Sequence, residues 1–158
     1  MKRILKILGY VLVITLIVMQ FFRPDKNEGG YESISNFEKD TRVSDEVLSI
    51  LKKNCFDCHT NQTRYPWYAE VAPISYWLND HIINGKKHFN MSEWNAYSEK
   101  KKSKKMDELI EEVKEGEMPL NFYTWIHGSI TEEEKDILVQ WATMSILNYE
   151  EALKVSNR

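Results

Sequence analysis

Residues 54–60 read NCFDCHT, and Cys55 and Cys58 are the only cysteines in the chain. His59 follows the second cysteine directly. Two thiols at this spacing can close a disulfide, supply half of a zinc site, or cycle as a redox pair. Each of these readings leaves something unused or missing. A disulfide gives His59 no role. A structural zinc takes four nitrogen or sulfur ligands, and no second pair follows. A thioredoxin-like pair sits beside a βαβ pattern, which the chain lacks. The spacing C-x-x-C-H is the attachment signature of a c-type haem, and it uses every residue. Two thiols on one helical turn match the two vinyl groups of the macrocycle, and the adjacent imidazole lies under the iron. The expected cofactor is therefore one covalent haem c, tethered by Cys55 and Cys58, with His59 as proximal iron ligand.

The opposite iron face needs its own reading. The stretch EGEMPL places Met118 after Gly116 and before Pro119, on backbone that cannot continue a helix. Thioether ligation raises the potential of such a haem, and Met118 is the expected distal ligand. His81 or His88 is the alternative distal ligand, and an open iron is the remaining option. His127, two residues after Trp125, reads as a surface or core histidine. The aromatic share is 12% with five tryptophans, which suits walls around a large flat group. The run TRYPWYAEVAPISYW follows the motif closely. Tyr65, Pro66, Trp67, Tyr68, Pro73 and Trp77 are expected to line the haem pocket, with Tyr76 beside them. A carbonyl of Pro66 or Pro73 is expected to orient His59, as supporting partners of metal ligands do. Arg64 reads as solvated or as a partner for a haem propionate.

These residues need a scaffold, and the periodicities predict helices. Ser44 caps a helix carrying Val47, Ile50, Leu51 and Cys55, with Val43 and Leu48 as a hydrophobic staple. A second helix is expected over Ala72–Gly85, ending at Gly85. A short third surrounds Trp94 and Tyr97, capped by Ser92. A fourth runs through Met106, Leu109, Ile110 and Val113 and stops at Gly116. Thr131 and Glu134 form a capping box for a last helix bearing Ile137, Leu138, Trp141 and Met144. No segment alternates as a strand. The five lysines of Lys100–Lys105 read as a solvated helix face.

At the N-terminus, Lys2, Arg3 and Lys6 precede an uncharged run from Ile7 to Phe22. As helix it covers roughly 24 Å, short of a ~30 Å hydrocarbon core, with Lys6 and Arg23 expected to snorkel. Bulky residues occupy the place of a cleavage site. The expected organisation is a signal anchor or transmembrane helix over 1–23, a flexible stalk over 24–42, a c-type haem-binding domain over 43–149, and a tail over 150–158. That places a single-pass protein in the inner membrane, bound through its N-terminal helix, with the C-terminal domain facing the periplasm.

A formal charge of −3 gives no general attraction to nucleic acid. No nucleophile, base and orienting group stand together, so catalysis by the chain is not indicated. Three stretches carry a family resemblance: NCFDCHTNQTRYPWYAEVAPISYWLNDHIINGKKHFNMSEW, GEMPLNFYTWIHG and TEEEKDILVQWA. They resemble the single-haem "haem-binding domain" family of bacterial membrane-anchored c-type cytochrome-like proteins, over roughly Asn54–Ala142. The resemblance implies one haem on Cys55 and Cys58, ligation by His59, and Met118 opposite. The expected fold is an all-α, cytochrome c-like domain. The expected work is one-electron transfer between respiratory components, with an unspecified redox partner protein. A haem-based redox or gas sensor, or a small peroxidase-like enzyme, is the alternative.

Overall fold

A computed structural model describes residues 1–156. The chain is all-helical, as expected. Its α-helices are α1 (Lys2–Met19), α2 (Ile34–Asp40), α3 (Asp45–Asn54), α4 (Phe56–His59), α5 (Ile74–His88), α6 (Glu99–Glu115), α7 (Asn121–His127) and α8 (Glu132–Ser156). Short 3-10 turns cover Trp67–Glu70 and Met91–Ala96.

The core is built on the long pair α6 and α8. Leu138, Trp141, Ala142, Ser145 and Tyr149 recur at helical spacing and bury one face of α8 against Met106 and Val113 of α6. Phe37 is fully buried at the centre, edge-on to Trp94 (5.1 Å) and Trp141 (5.8 Å). The polar groups that surround Asp40 are satisfied. Asp40 accepts from Trp94 Nε1 and Tyr149 Oη, both at 2.8 Å, and pairs with the buried Lys102 at 3.0 Å.

The helix signals largely hold. Ser44 accepts from Val47 N at 3.2 Å. Thr131 and Glu134 exchange both bonds of the capping box, at 2.8 and 3.1 Å. α6 stops at Gly116, which takes φ 77°. The 3-10 turn at Trp94 is capped by Asn90, and Ser92 Oγ instead accepts from Asn61 N. Gly85 does not end its helix. It lies inside α5, where a Cβ would meet Cys58 O at 2.7 Å. The missing side chain lets α5 pack directly on α4.

Residues 24–42, expected as a stalk, are built into the domain. Asn27, Gly29 and Gly30 bond to the segment 60–65, with Gly29 N donating to Asn61 O and Thr63 N to Asn27 O. Ile34 and Phe37 of α2 are core residues. Most of the expected tail likewise continues α8 to Ser156.

The expected transmembrane helix is overturned: among the described residues no helix is long and apolar enough to cross a membrane. α1 is eighteen residues long and contains Lys2, Arg3 and Lys6. Its uncharged part, Ile7 to Met19, covers roughly 20 Å against a ~30 Å hydrocarbon core. The apolar run counted to Phe22 is cut because the helix stops at Met19. Gln20 then turns its amide to Ala72, donating to the carbonyl and accepting from the N–H, both at 3.0 Å. The single-pass inner-membrane placement with a periplasmic domain, which rested on that helix, falls with it.

Candidate functional site

The cysteine motif occupies the junction of α3 and α4. Val47, Ile50 and Leu51 bury α3 in the core, so Cys55 arrives at a fixed place. The chain breaks helical geometry at Cys55 (φ −126°, ψ −37°) and turns once more through Phe56–His59. His59 N and Cys58 N both donate to Cys55 O, at 3.0 and 3.2 Å. This single turn brings both sulfurs and the imidazole together. Phe56, fully buried, anchors it from below.

Both cysteines are free thiols and half-buried. Burial pushes each thiol up to about 12, with Cys58 adding to Cys55, and Asp57 to Cys58. His59 Nδ1 donates to Phe89 O at 2.9 Å. The orienting carbonyl is thus Phe89, at the C-terminal end of α5, rather than Pro66 or Pro73. Burial lowers the His59 pKa, partly offset by backbone hydrogen bonds. With Nδ1 carrying the proton, Nε2 is the nitrogen left with a lone pair for a metal.

A cleft of about 340 Å³ opens at Cys58. Of the six expected pocket residues, Pro66, Trp67, Tyr68 and Trp77 line it. Tyr65 turns elsewhere and accepts from Asn27 N at 2.6 Å, and Pro73 caps α5 outside the lining. The remaining wall comes from α5 (Ile74, Leu78, Ile82) and from α7, whose Phe122, Tyr123, Trp125, Ile126 and His127 all face the cleft. Trp67 and Trp125 stand at its rim, 81% and 83% exposed. Cys55, His59, Met118, His81 and His88 are not in the lining. Met118 sits half-buried on the loop before α7, its N–H donating to Glu112 O at 3.1 Å. His81 Nδ1 donates to Trp77 O at 2.8 Å, with its ring against Trp77 and Phe122. His88 is exposed.

Asp57, between the two cysteines, organises one side. It is buried and accepts from Arg64 N, Nε and a guanidinium nitrogen, each at 3.0 Å, and from Tyr123 Oη at 2.9 Å. Arg64 is therefore a clamp on the motif. Tyr123 stacks on His127 (4.3 Å, 18°), and His127 Nε2 lies 2.8 Å from Tyr68 Oη. Sequence reasoning passed over α7 and His127. Leu120 precedes the helix with no side-chain cap, and α7 has no buried residue, so neither a cap nor a core-facing stripe marked it.

These residues fit a haem. A thiol pair stands beside a carbonyl-oriented imidazole, and its Cys58 lines an apolar, aromatic-walled cleft. Such walls exclude water and suit a flat macrocycle. The class so defined is an all-helical haem-binding domain. The model of the haem-binding domain family matches residues 14–144, and the chain belongs to that family. No curated protein and no solved structure matches the chain significantly. Haem is accordingly its cofactor.

Proposed function

We propose that the protein is a single-haem c-type cytochrome that carries single electrons. Cys55 and Cys58 hold the macrocycle covalently through thioether bonds. His59 ligates the iron through Nε2, its ring fixed by the Phe89 carbonyl. Met118, half-buried on the loop before α7, would supply the second donor to the iron. The observation that carries this reading is the free Cys55–Cys58 pair beside its oriented imidazole, with Cys58 lining the aromatic cleft.

When bound, haem supplies an iron that alternates between two oxidation states, with a potential set by axial ligands, hydrogen bonding and burial. The chain's own residues do the rest. Trp67, Tyr68 and Trp77 exclude water from the cleft. The Arg64 clamp neutralises Asp57 next to the tether, so no uncompensated charge stands beside the iron.

A potentiometric titration of the purified holoprotein, followed in the visible spectrum, tests this. The expected result is one reversible, one-electron transition of a six-coordinate haem. A five-coordinate haem that binds carbon monoxide without any variant, or that turns over peroxide, favours a sensor or a peroxidase and overturns the carrier.

A further inference from the structure

We propose that a basic groove beside the cleft is the docking surface for an acidic redox protein, an inference that rests on haem occupying the cleft as proposed above. The groove measures about 530 Å³ and lies open between the last turn of α3 and the segment that follows the motif. Lys52, Lys53 and Arg64 line it, and Asp57 is the carboxylate in its lining. That carboxylate is already engaged. It is buried, and both its oxygens accept from Arg64, with Tyr123 Oη also donating to Oδ2. The Arg64 side chain remains 57% exposed. Lys53 reaches Glu134 at 3.3 Å, and among the described residues the exposed Lys52 has no ion-pair partner. Asp57, Arg64, Pro66 and His127 line both the groove and the cleft, so the cations stand against the outside of the cleft wall.

The sign of this groove opposes that of the chain. A formal charge of −3 repels anions at long range, whereas clustered cations beside an apolar cleft attract them locally. The helix dipole favours lysines in the last turn of α3. Arg64 comes from a different segment, and its bond to Lys52 O at 2.6 Å brings the third cation to the same place. The largely exposed Trp67 and Trp125 at the cleft rim add the aromatic centre that protein interfaces favour. The occupant that fits is a protein with carboxylates around an exposed redox centre. Its carboxylates meet Lys52, Lys53 and Arg64 while its centre faces the rim. One electron passes, and one centre is oxidised as the other is reduced. The lysine run of α6 lies elsewhere. Lys102 Nζ is 5.7 Å from the Tyr149 ring, whereas Lys53 meets Glu134, about 22 Å back along α8.

The test uses the holoprotein, with haem attachment checked by haem staining of a denaturing gel. Stopped-flow oxidation of the ferrous protein is followed at rising ionic strength with an anionic oxidant, hexacyanoferrate(III), and a cationic one, tris(phenanthroline)cobalt(III). The expected result is that salt slows the first reaction and speeds the second. In a Lys52→Glu, Lys53→Gln protein the hexacyanoferrate rate at low ionic strength should fall about tenfold and lose its salt dependence. A Lys100→Glu, Lys104→Glu protein should react as the wild type does. Poly-L-glutamate, standing in for an acidic protein surface, should slow the wild-type hexacyanoferrate reaction at matched ionic strength. A wild-type hexacyanoferrate reaction that salt accelerates follows the net charge and overturns the docking surface, as does a groove variant that reacts like wild type. Slowing by salt without inhibition by poly-L-glutamate reports steering of small anions only and overturns the protein partner. Each of these outcomes leaves the covalent haem intact, whereas a wild type without it overturns the cofactor site and this inference together. Should the groove variant fail to load haem, the wild-type salt dependence and the poly-L-glutamate arm decide alone.

Discussion

Gly85 sits where the site depends on closest approach, and Gly85→Ala is the sharpest mechanical test of it. A Cβ there would lie 2.7 Å from Cys58 O, 3.2 Å from Cys58 Cβ and 3.3 Å from Cys58 C. Two of these atoms are backbone of the turn that carries both cysteines, so no side-chain rotation relieves the contact. Either α5 or α4 must shift by several tenths of an ångström. Overpacking of this kind costs typically ~1–3 kcal/mol. Alanine in a helix interior recovers about 0.5–1 kcal/mol relative to glycine. Taking the middle of each range, the net expectation is a loss of about 1 kcal/mol. At about 2–4 °C per kcal/mol for a chain of this size, Tm falls by roughly 2–4 °C. Because the shift falls on Cys58 and on the α5 end that presents the Phe89 carbonyl to His59, haem loading should fall as well. Thermal unfolding by circular dichroism gives the first quantity, and the haem-to-protein ratio gives the second. Gly9→Ala, with nothing within 4 Å of its Cβ, is the control helix substitution. A G85A protein as stable and as fully loaded as wild type refutes the close-packing account.

Three further outcomes are expected. Phe37→Ala should cost ~3–5 kcal/mol in urea unfolding, because its ring is fully buried among Trp94, Phe89 and Trp141; a negligible loss would restore the view of residues 24–42 as a loose stalk. Met118→Ala should keep covalent haem but open one coordination position, so that the ferrous protein binds carbon monoxide; an unchanged low-spin spectrum removes Met118 as the second ligand. Burial pushes the Asp40 carboxyl up, but hydrogen bonds from Lys102, Tyr149 and Trp94 outweigh it and leave the pKa below its usual value. A depressed carboxylate contributes stability above its unfolded pKa and loses it as pH falls through the folded one, so the urea midpoint should drop below about pH 4, and less so in Asp40→Asn.

Much of the helical frame was legible because its signals are local. Ser44, Gly116 and the Thr131–Glu134 box act within four residues, so spacing alone exposes them. That the chain is a haem-binding domain was legible for the same reason, because the residues that suggest it are contiguous. What escaped depends on contacts distant along the chain. Gly85 looks like a helix stop until Cys58 is seen against it. Residues 24–42 look like a polar stalk because α2 offers only Ile34 and Phe37 to the core. The apolar N-terminal run gives no hint that Gln20 leaves the helix for Ala72, 52 positions away. His127 gains its place from Tyr68, 59 positions upstream, and from a stack on Tyr123 that a four-residue spacing permits without requiring. The Phe89 carbonyl reaches His59 because α5 packs back on α4, and no property of the prolines near the motif predicts that.

The central claim is that Cys55 and Cys58 hold the haem covalently. Intact-mass spectrometry of the denatured, desalted protein, recovered from cells competent in c-type haem attachment, tests it most directly. The account predicts the chain mass plus one haem in the wild type, and the bare chain mass when both cysteines are replaced by alanine. A wild-type protein that releases its haem on denaturation, or a double variant that keeps it, contradicts the claim.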